Sequence, residues 1–106
     1  MPDDTHYKVL KILEQNPHIS QRELAKEMGI SLGKVNYCLK ALVERGWVKM
    51  DNFSNNPNKL YYAYLLTPRG VVAKARLTAS FLKRKLKEYD VLKSEIKALR
   101  AEVDGV

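Results

Sequence analysis

Three residues, Gly29-Ile30-Ser31, separate two stretches that each carry their own helix signals, and so short a link forces the two helices to cross sharply. The first stretch opens with Ser20 followed three residues later by Glu23. At that spacing a serine hydroxyl and a glutamate carboxylate share the free donors of a first helical turn, with Ile19 and Leu24 as an apolar staple. Gly29 supplies a left-handed stop, so this helix is expected over about Gln21 to Met28. The second stretch starts at once. Ser31 caps it, Ile30 and Val35 form the staple, and Val35, Leu39 and Leu42 recur at helical spacing with Cys38 beside them. Gly46 ends it, and Trp47 falls where such a stop packs an apolar residue back onto Leu42.

The flanks complete the unit. Val9, Leu10, Ile12 and Leu13 predict an earlier helix from about Asp4 to Asn16, closed by Pro17. After Gly46, the β-prone runs Trp47–Met50 and Leu60–Leu66 bracket a polar Asn/Pro-rich loop, which reads as a hairpin. A hairpin directly after a helix-turn-helix is a wing.

Thr67 then caps a last helix, with Pro68 in its first turn and Leu66 and Val71 as a third staple. After Gly70 no Pro or Gly interrupts the sequence until Gly105, so this helix can run from about Pro68 to Val103, roughly 50 Å. Leu82, Lys85, Tyr89, Leu92, Ile96, Leu99 and Val103 alternate by three and four, an a/d heptad seam in which Lys85 is the flaw and Leu86 a neighbour able to replace it. Ala75 and Thr78 extend the seam weakly. The helix either folds back on its own domain or pairs with a second copy; because the stripe is longer than one small domain can cover, pairing is expected through Leu82, Tyr89, Leu92, Ile96, Leu99 and Val103. The chain therefore reads as mainly α with a small β-hairpin: a winged helix-turn-helix over residues 1–67 and a C-terminal coiled-coil dimerisation helix over 68–106.

Charge fits a nucleic-acid partner. The chain of 106 residues has a formal net charge of +7, spread along its length, and that favours polyanions. With Val35, Leu39 and Leu42 inward, the second helix of the pair turns Gly33, Lys34, Asn36, Tyr37 and Lys40 outward. Asn can pair bidentately with adenine, Lys can reach guanine acceptors or phosphate, and Gly lets the backbone come close. Lys34 stands out, because a cation in a first helical turn costs some tenths of a kcal/mol, a cost that DNA contact would offset. Ser31 stands at the tip of the same helix. Gln21 and Arg22 open the preceding helix, where free backbone N–H groups also attract phosphate. Asn55, Asn56, Asn58 and Lys59 at the wing tip suit a groove or a phosphate backbone, although Asn and Pro also build loops for conformational reasons alone. Lys49 and Arg69 are further phosphate candidates, and Tyr61, Tyr62 and Tyr64 read as strand packing.

Other chemistry is not signalled. A single cysteine, Cys38, permits no disulfide within the chain and suits a reducing cytoplasm; it reads as core packing rather than a redox sensor. His6 and His18 lack neighbours at metal-ligand spacing, and no nucleophile–base motif or phosphate-binding glycine loop is present, so no metal, cofactor or enzyme activity is assigned. Met1-Pro2-Asp3-Asp4 is acidic, unlike a secretory leader, and no apolar run is long enough to span a membrane.

From Ile19 to Gly70 the chain resembles the MarR-type winged-helix regulators, in ISQRELAKEMGISLGKVNYCLKALVERGWV and in the Leu-Thr-x-x-Gly entry LLTPRG. NNPNKLYYAYLLTPRG is similar to the branch associated with bacterial exopolysaccharide gene clusters. The resemblance implies a bacterial, dimeric regulator of pseudo-palindromic DNA, with Gly33, Lys34, Asn36, Tyr37 and Lys40 where that family reads DNA. Typical members have dimerisation helices from both chain ends and often an effector pocket between them. This chain has one helix before the motif and one after, which leaves the effector and the half-site spacing open. The alternative is a winged-helix protein-interaction module that assembles a complex through its C-terminal helix without specific DNA binding. RNA binding by the same basic face is a third reading.

Overall fold

The computed structural model describes residues 3–52 and 62–105. Four helices and a two-stranded sheet follow in the order α1 (Asp3–Gln15), α2 (Gln21–Met28), α3 (Leu32–Glu44), β1 (Val48–Asn52), β2 (Tyr62–Leu66) and α4 (Pro68–Asp104). The expected elements are all present. α1 begins and ends one residue early, and β1 runs through Asp51 and Asn52, which the sequence placed in the loop. Ladder pairing overrides the turn preference of those two residues: β1 and β2 are antiparallel, with Val48 opposite Leu66 and Asn52 opposite Tyr62.

Local chemistry sets the helix ends. Ser20 and Ser31 are extended, and each hydroxyl accepts the backbone N–H three residues on, from Glu23 and from Lys34, both at 3.1 Å. Gly29 adopts φ 65°, and Ile30 N–H reaches back to the Ala25 carbonyl at 3.1 Å. Gly46 adopts φ 74°, with Trp47 N–H on the Leu42 carbonyl and its own N–H on that of Val43, each at 3.0 Å. Both are Schellman stops, which need φ > 0 and so favour glycine.

The core gathers the inward residues of every element. Val9, Leu10 and Leu13 of α1 meet Leu24 of α2, Val35, Leu39 and Leu42 of α3, and Val48 and Tyr64 of the sheet. Each buried Leu or Val contributes about 1.5–3 kcal/mol relative to an exposed one. Tyr64 N–H donates to the Pro17 carbonyl at 3.1 Å, which ties β2 to the α1–α2 link. His6 is buried edge-on to Trp47, with ring centroids 6.4 Å apart.

α4 enters through a tight joint. The Thr67 hydroxyl accepts Gly70 N–H at 3.0 Å and donates to the Gly46 carbonyl, while Thr67 N–H donates to the Trp47 carbonyl at 3.0 Å. A Cβ at Gly70 would fall 1.9 Å from that same carbonyl oxygen, so only glycine lets the helix come so close. This is the physical content of the Leu-Thr-x-x-Gly stretch. It also overturns the third staple: docking Gly70 and Ala73 inward turns Val71 outward, where it is half exposed.

The first half of α4 lies antiparallel along α1. Phe81 stacks on Tyr7 with centroids 5.0 Å apart, Lys74 pairs with Glu14 at 2.8 Å, and Arg84 pairs with Asp4. Beyond Arg84 every described residue of the helix is exposed, and the molecule reaches 70 Å along its longest axis.

Candidate nucleic-acid interface

α3 divides into two faces. Val35, Cys38, Leu39 and Leu42 are buried in the core, and Gly33, Asn36, Tyr37 and Lys40 are exposed together, Tyr37 at 67%. Their i, i+3, i+4, i+7 spacing makes one outward ridge. Lys34 stands on its flank, its side chain exposed and its N–H held by Ser31. The first turn of α3 has no acidic residue to offset its positive end, whereas that of α2 has Glu23. Open space surrounds the Cα of Gly33, so a ligand can approach the backbone there.

The other candidates divide by what their side chains already do. Ser31 is the cap of α3. Gln21 is only half-exposed, and its amide donates to the Tyr64 hydroxyl at 2.9 Å. Its side chain therefore braces α2 against the hairpin, so any anion at that first turn would meet backbone N–H groups rather than this amide. Arg22, Lys49 and Arg69 are exposed. Asn55, Asn56, Asn58 and Lys59, together with Tyr61, lie outside the described residues. Between the ridge and the hairpin runs a groove bordered by Asn36, Lys40, Val43, Met50 and Tyr64.

Three features went unread in the sequence. Leu32 continues the inward spacing of α3 yet is 44% exposed. Glu44 is exposed one turn beyond Lys40 on the same ridge, so an approaching polyanion is favoured at the N-terminal half of α3 and repelled at its end. The Gln21–Tyr64 bond joins residues far apart in the chain and has no local signal. Cys38 is fully buried. Burial pushes its thiol above the ordinary value, and the Lys34 ammonium acts in the opposite direction. A protonated, enclosed thiol is a poor nucleophile, in keeping with core packing.

The seam residues Leu82, Tyr89, Leu92, Ile96, Leu99 and Val103 are all exposed, the least so being Ile96 at 42%. Among the described residues, no helix is long and apolar enough to cross a membrane.

A family model described as winged helix-turn-helix DNA-binding matches residues 2–49. The chain is 34% identical over 106 residues to the HTH-type transcriptional regulator Ptr1 of Methanocaldococcus jannaschii, an alignment covering all of this chain and 70% of that protein. It is 32% identical over 93 residues to the HTH-type transcriptional regulator LrpA of Pyrococcus horikoshii, covering 88% of this chain and 64% of the relative. In three dimensions it is similar to a MarR/EmrR family transcriptional regulator from Acinetobacter sp. ADP1, with a TM-score of 0.65 at 21% identity over 96% of this chain and 76% of that one.

Proposed function

The chain belongs to the HTH-type transcriptional regulators, built on a MarR-like winged-helix fold, and from that premise we propose that it is a sequence-specific, homodimeric regulator of double-stranded DNA in the cytoplasm. The N-terminal half of α3 enters the major groove. Asn36, Tyr37 and Lys40 face base edges, Lys34 reaches a base or a flanking phosphate, and Arg22 with the first-turn N–H groups of α2 holds the backbone. The hairpin tip, with Asn55, Asn56, Asn58 and Lys59, grips beside it. Repression by occlusion of a promoter is the simplest mode of action. Exopolysaccharide genes are the target implied by the NNPNKLYYAYLLTPRG stretch.

One observation carries this reading: a lysine occupies the third position of α3, where α2 has a glutamate, on an exposed helix end with no acidic residue in its first turn. A fold with no anionic partner gains nothing from that arrangement. It also favours a DNA-binding regulator over a module that only assembles proteins through α4.

Selection of random duplex DNA by the purified chain tests the proposal. Enrichment of an inverted repeat is the expected result, and the separation of its halves reports how the two domains are held. A folded, dimeric protein that enriches no sequence would sink it in favour of the protein-interaction module.

A further inference from the structure

The exposed stripe of α4 is longer than its second half. Stepping by four and three from Val71, the positions run through Ala75, Thr78 and Leu82 to Lys85, then on from Tyr89 to Val103, with the large apolar ones among them all exposed. In heptad terms Leu82, Tyr89, Ile96 and Val103 take a, while Lys85, Leu92 and Leu99 take d. From Leu92 to Val103 this places β-branched residues at a and leucines at d, the combination that favours two parallel strands. The flanking charges agree. Glu88, Glu95 and Glu102 fall at g, and Lys93 and Arg100 fall at e. In a parallel pair g faces the e position of the next heptad, so Glu88 meets the second copy's Lys93, and Glu95 meets its Arg100. In an antiparallel pair g faces g and e faces e, which sets glutamate against glutamate and lysine against arginine.

We propose that α4 pairs in register with α4 of a second copy as a parallel two-stranded coiled coil, carried mainly by Tyr89 to Val103. The proposal rests on the homodimer reading above and specifies its geometry. The intrachain contacts of α4 do not oppose it. Gly70, Ala73, Leu77 and Phe81 face the core or α1, and Leu82 lies about 100° round the helix from Phe81, so pairing leaves α1 in place. Lys85 is the weak point at d, and its ammonium is already held by Glu88 at 3.0 Å. Thr78 satisfies its hydroxyl on the Lys74 carbonyl at 2.7 Å, so it can enter the seam without an orphaned donor. Parallel pairing brings both winged-helix units to the same end of the coil, related by a two-fold along its axis. Antiparallel pairing would hold them apart by much of the free length of α4.

Val103→Cys in the full chain tests the orientation, with the wild-type protein and its buried Cys38 as control. In a glutathione buffer, where oxidised glutathione takes up the two electrons, a 103–103 disulfide dimer is expected to dominate on a non-reducing gel. A mixture of size-tagged Val103→Cys and Thr78→Cys chains, whose a and d positions would face each other in an antiparallel pair, should give little 78–103 product. Independently, Glu88→Lys with Glu95→Lys should weaken self-association by at least about tenfold in sedimentation, because g then repels e. Dominant 78–103 linkage, or association unchanged by the charge reversal, overturns the parallel arrangement and leaves the DNA reading intact. A wild-type chain that sediments as a monomer overturns the pairing itself, whereas failure of the DNA reading would show separately, in the duplex selection.

Discussion

α2 and α3 open on the same cap geometry and carry opposite charges at the capped residue. Ser20 has φ −73° and ψ 159°, Ser31 has φ −71° and ψ 156°, and each caps the N–H three residues on at the same 3.1 Å. Each helix is preceded by a core-facing isoleucine and closed by a left-handed glycine. At the capped residue itself, α2 has Glu23, whose carboxylate lies 3.0 Å from the Ser20 hydroxyl, and α3 has Lys34. The carboxylate offsets part of the positive end of α2, which leaves that helix start the weaker of the two anion sites. The end of α3 keeps its partial positive charge and gains a whole one. With backbone, cap and stop held constant, the pair separates what a helix start needs to fold from what it offers to an anion.

Exchanging the charges is the strongest way to break the comparison. Lys34→Glu should lower affinity for the selected duplex by about 2–3 kcal/mol, measured by fluorescence anisotropy at fixed salt, and flatten the dependence of log K on log salt. The same change should raise urea stability by about 0.5–1 kcal/mol, since it recreates the start of α2. The reverse exchange, Glu23→Lys, should cost a similar amount of stability and leave sequence preference unaltered. Equal DNA affinity in Lys34→Glu would remove that lysine from the interface and reduce the contrast to chance.

A smaller effect isolates the caps. Ser20→Ala and Ser31→Ala should each destabilise by about 1 kcal/mol in urea titration. Ser20→Ala should cost slightly more, because it also strands the Glu23 carboxylate. A cap variant that costs nothing would mean that packing of Ile19 or Ile30 alone sets that helix start. The smallest effect belongs to α3 only. Cys38 is held protonated by burial, so below its ordinary value folded and unfolded chains both carry the proton and stability does not change with pH on its account. Above that value, in mildly alkaline solution, the unfolded chain releases the proton first and stability falls. Cys38→Ala should abolish this alkaline component of the thermal midpoint, and an unchanged slope would show that another group causes it.

What could be read from the sequence was local. Caps, stops and staples act over four or five residues, so Ser20, Gly29, Ser31, Gly46 and Thr67 announce their roles, and the buried and exposed faces of α3 follow from a period of 3.6. Contacts between residues distant in the chain left no such trace. The Phe81–Tyr7 stack, the Gln21–Tyr64 bond and the Pro17–Tyr64 backbone bond depend on how elements dock. For the same reason α4 reads as a single seam, although it has two: Gly70, Ala73, Leu77 and Phe81 serve the chain's own core, and the heptad positions face out. Val71 departs from the staple expectation because a staple needs the first turn to pack as it enters, and Gly70 sets a different rotation.

At that joint the missing side chain fixes an angle. Thr67, Gly46, Trp47 and Gly70 clamp the exit of α3, the root of the hairpin and the entry of α4 within one turn, with no atom of slack between Gly70 and the Trp47 carbonyl. α4 is a lever about 55 Å long fixed at that pivot, so a rotation of about 5° there sweeps its far end by roughly 5 Å. Small changes in the tilt of the shaft and in the aim of α3 are therefore the same motion, seen from opposite ends.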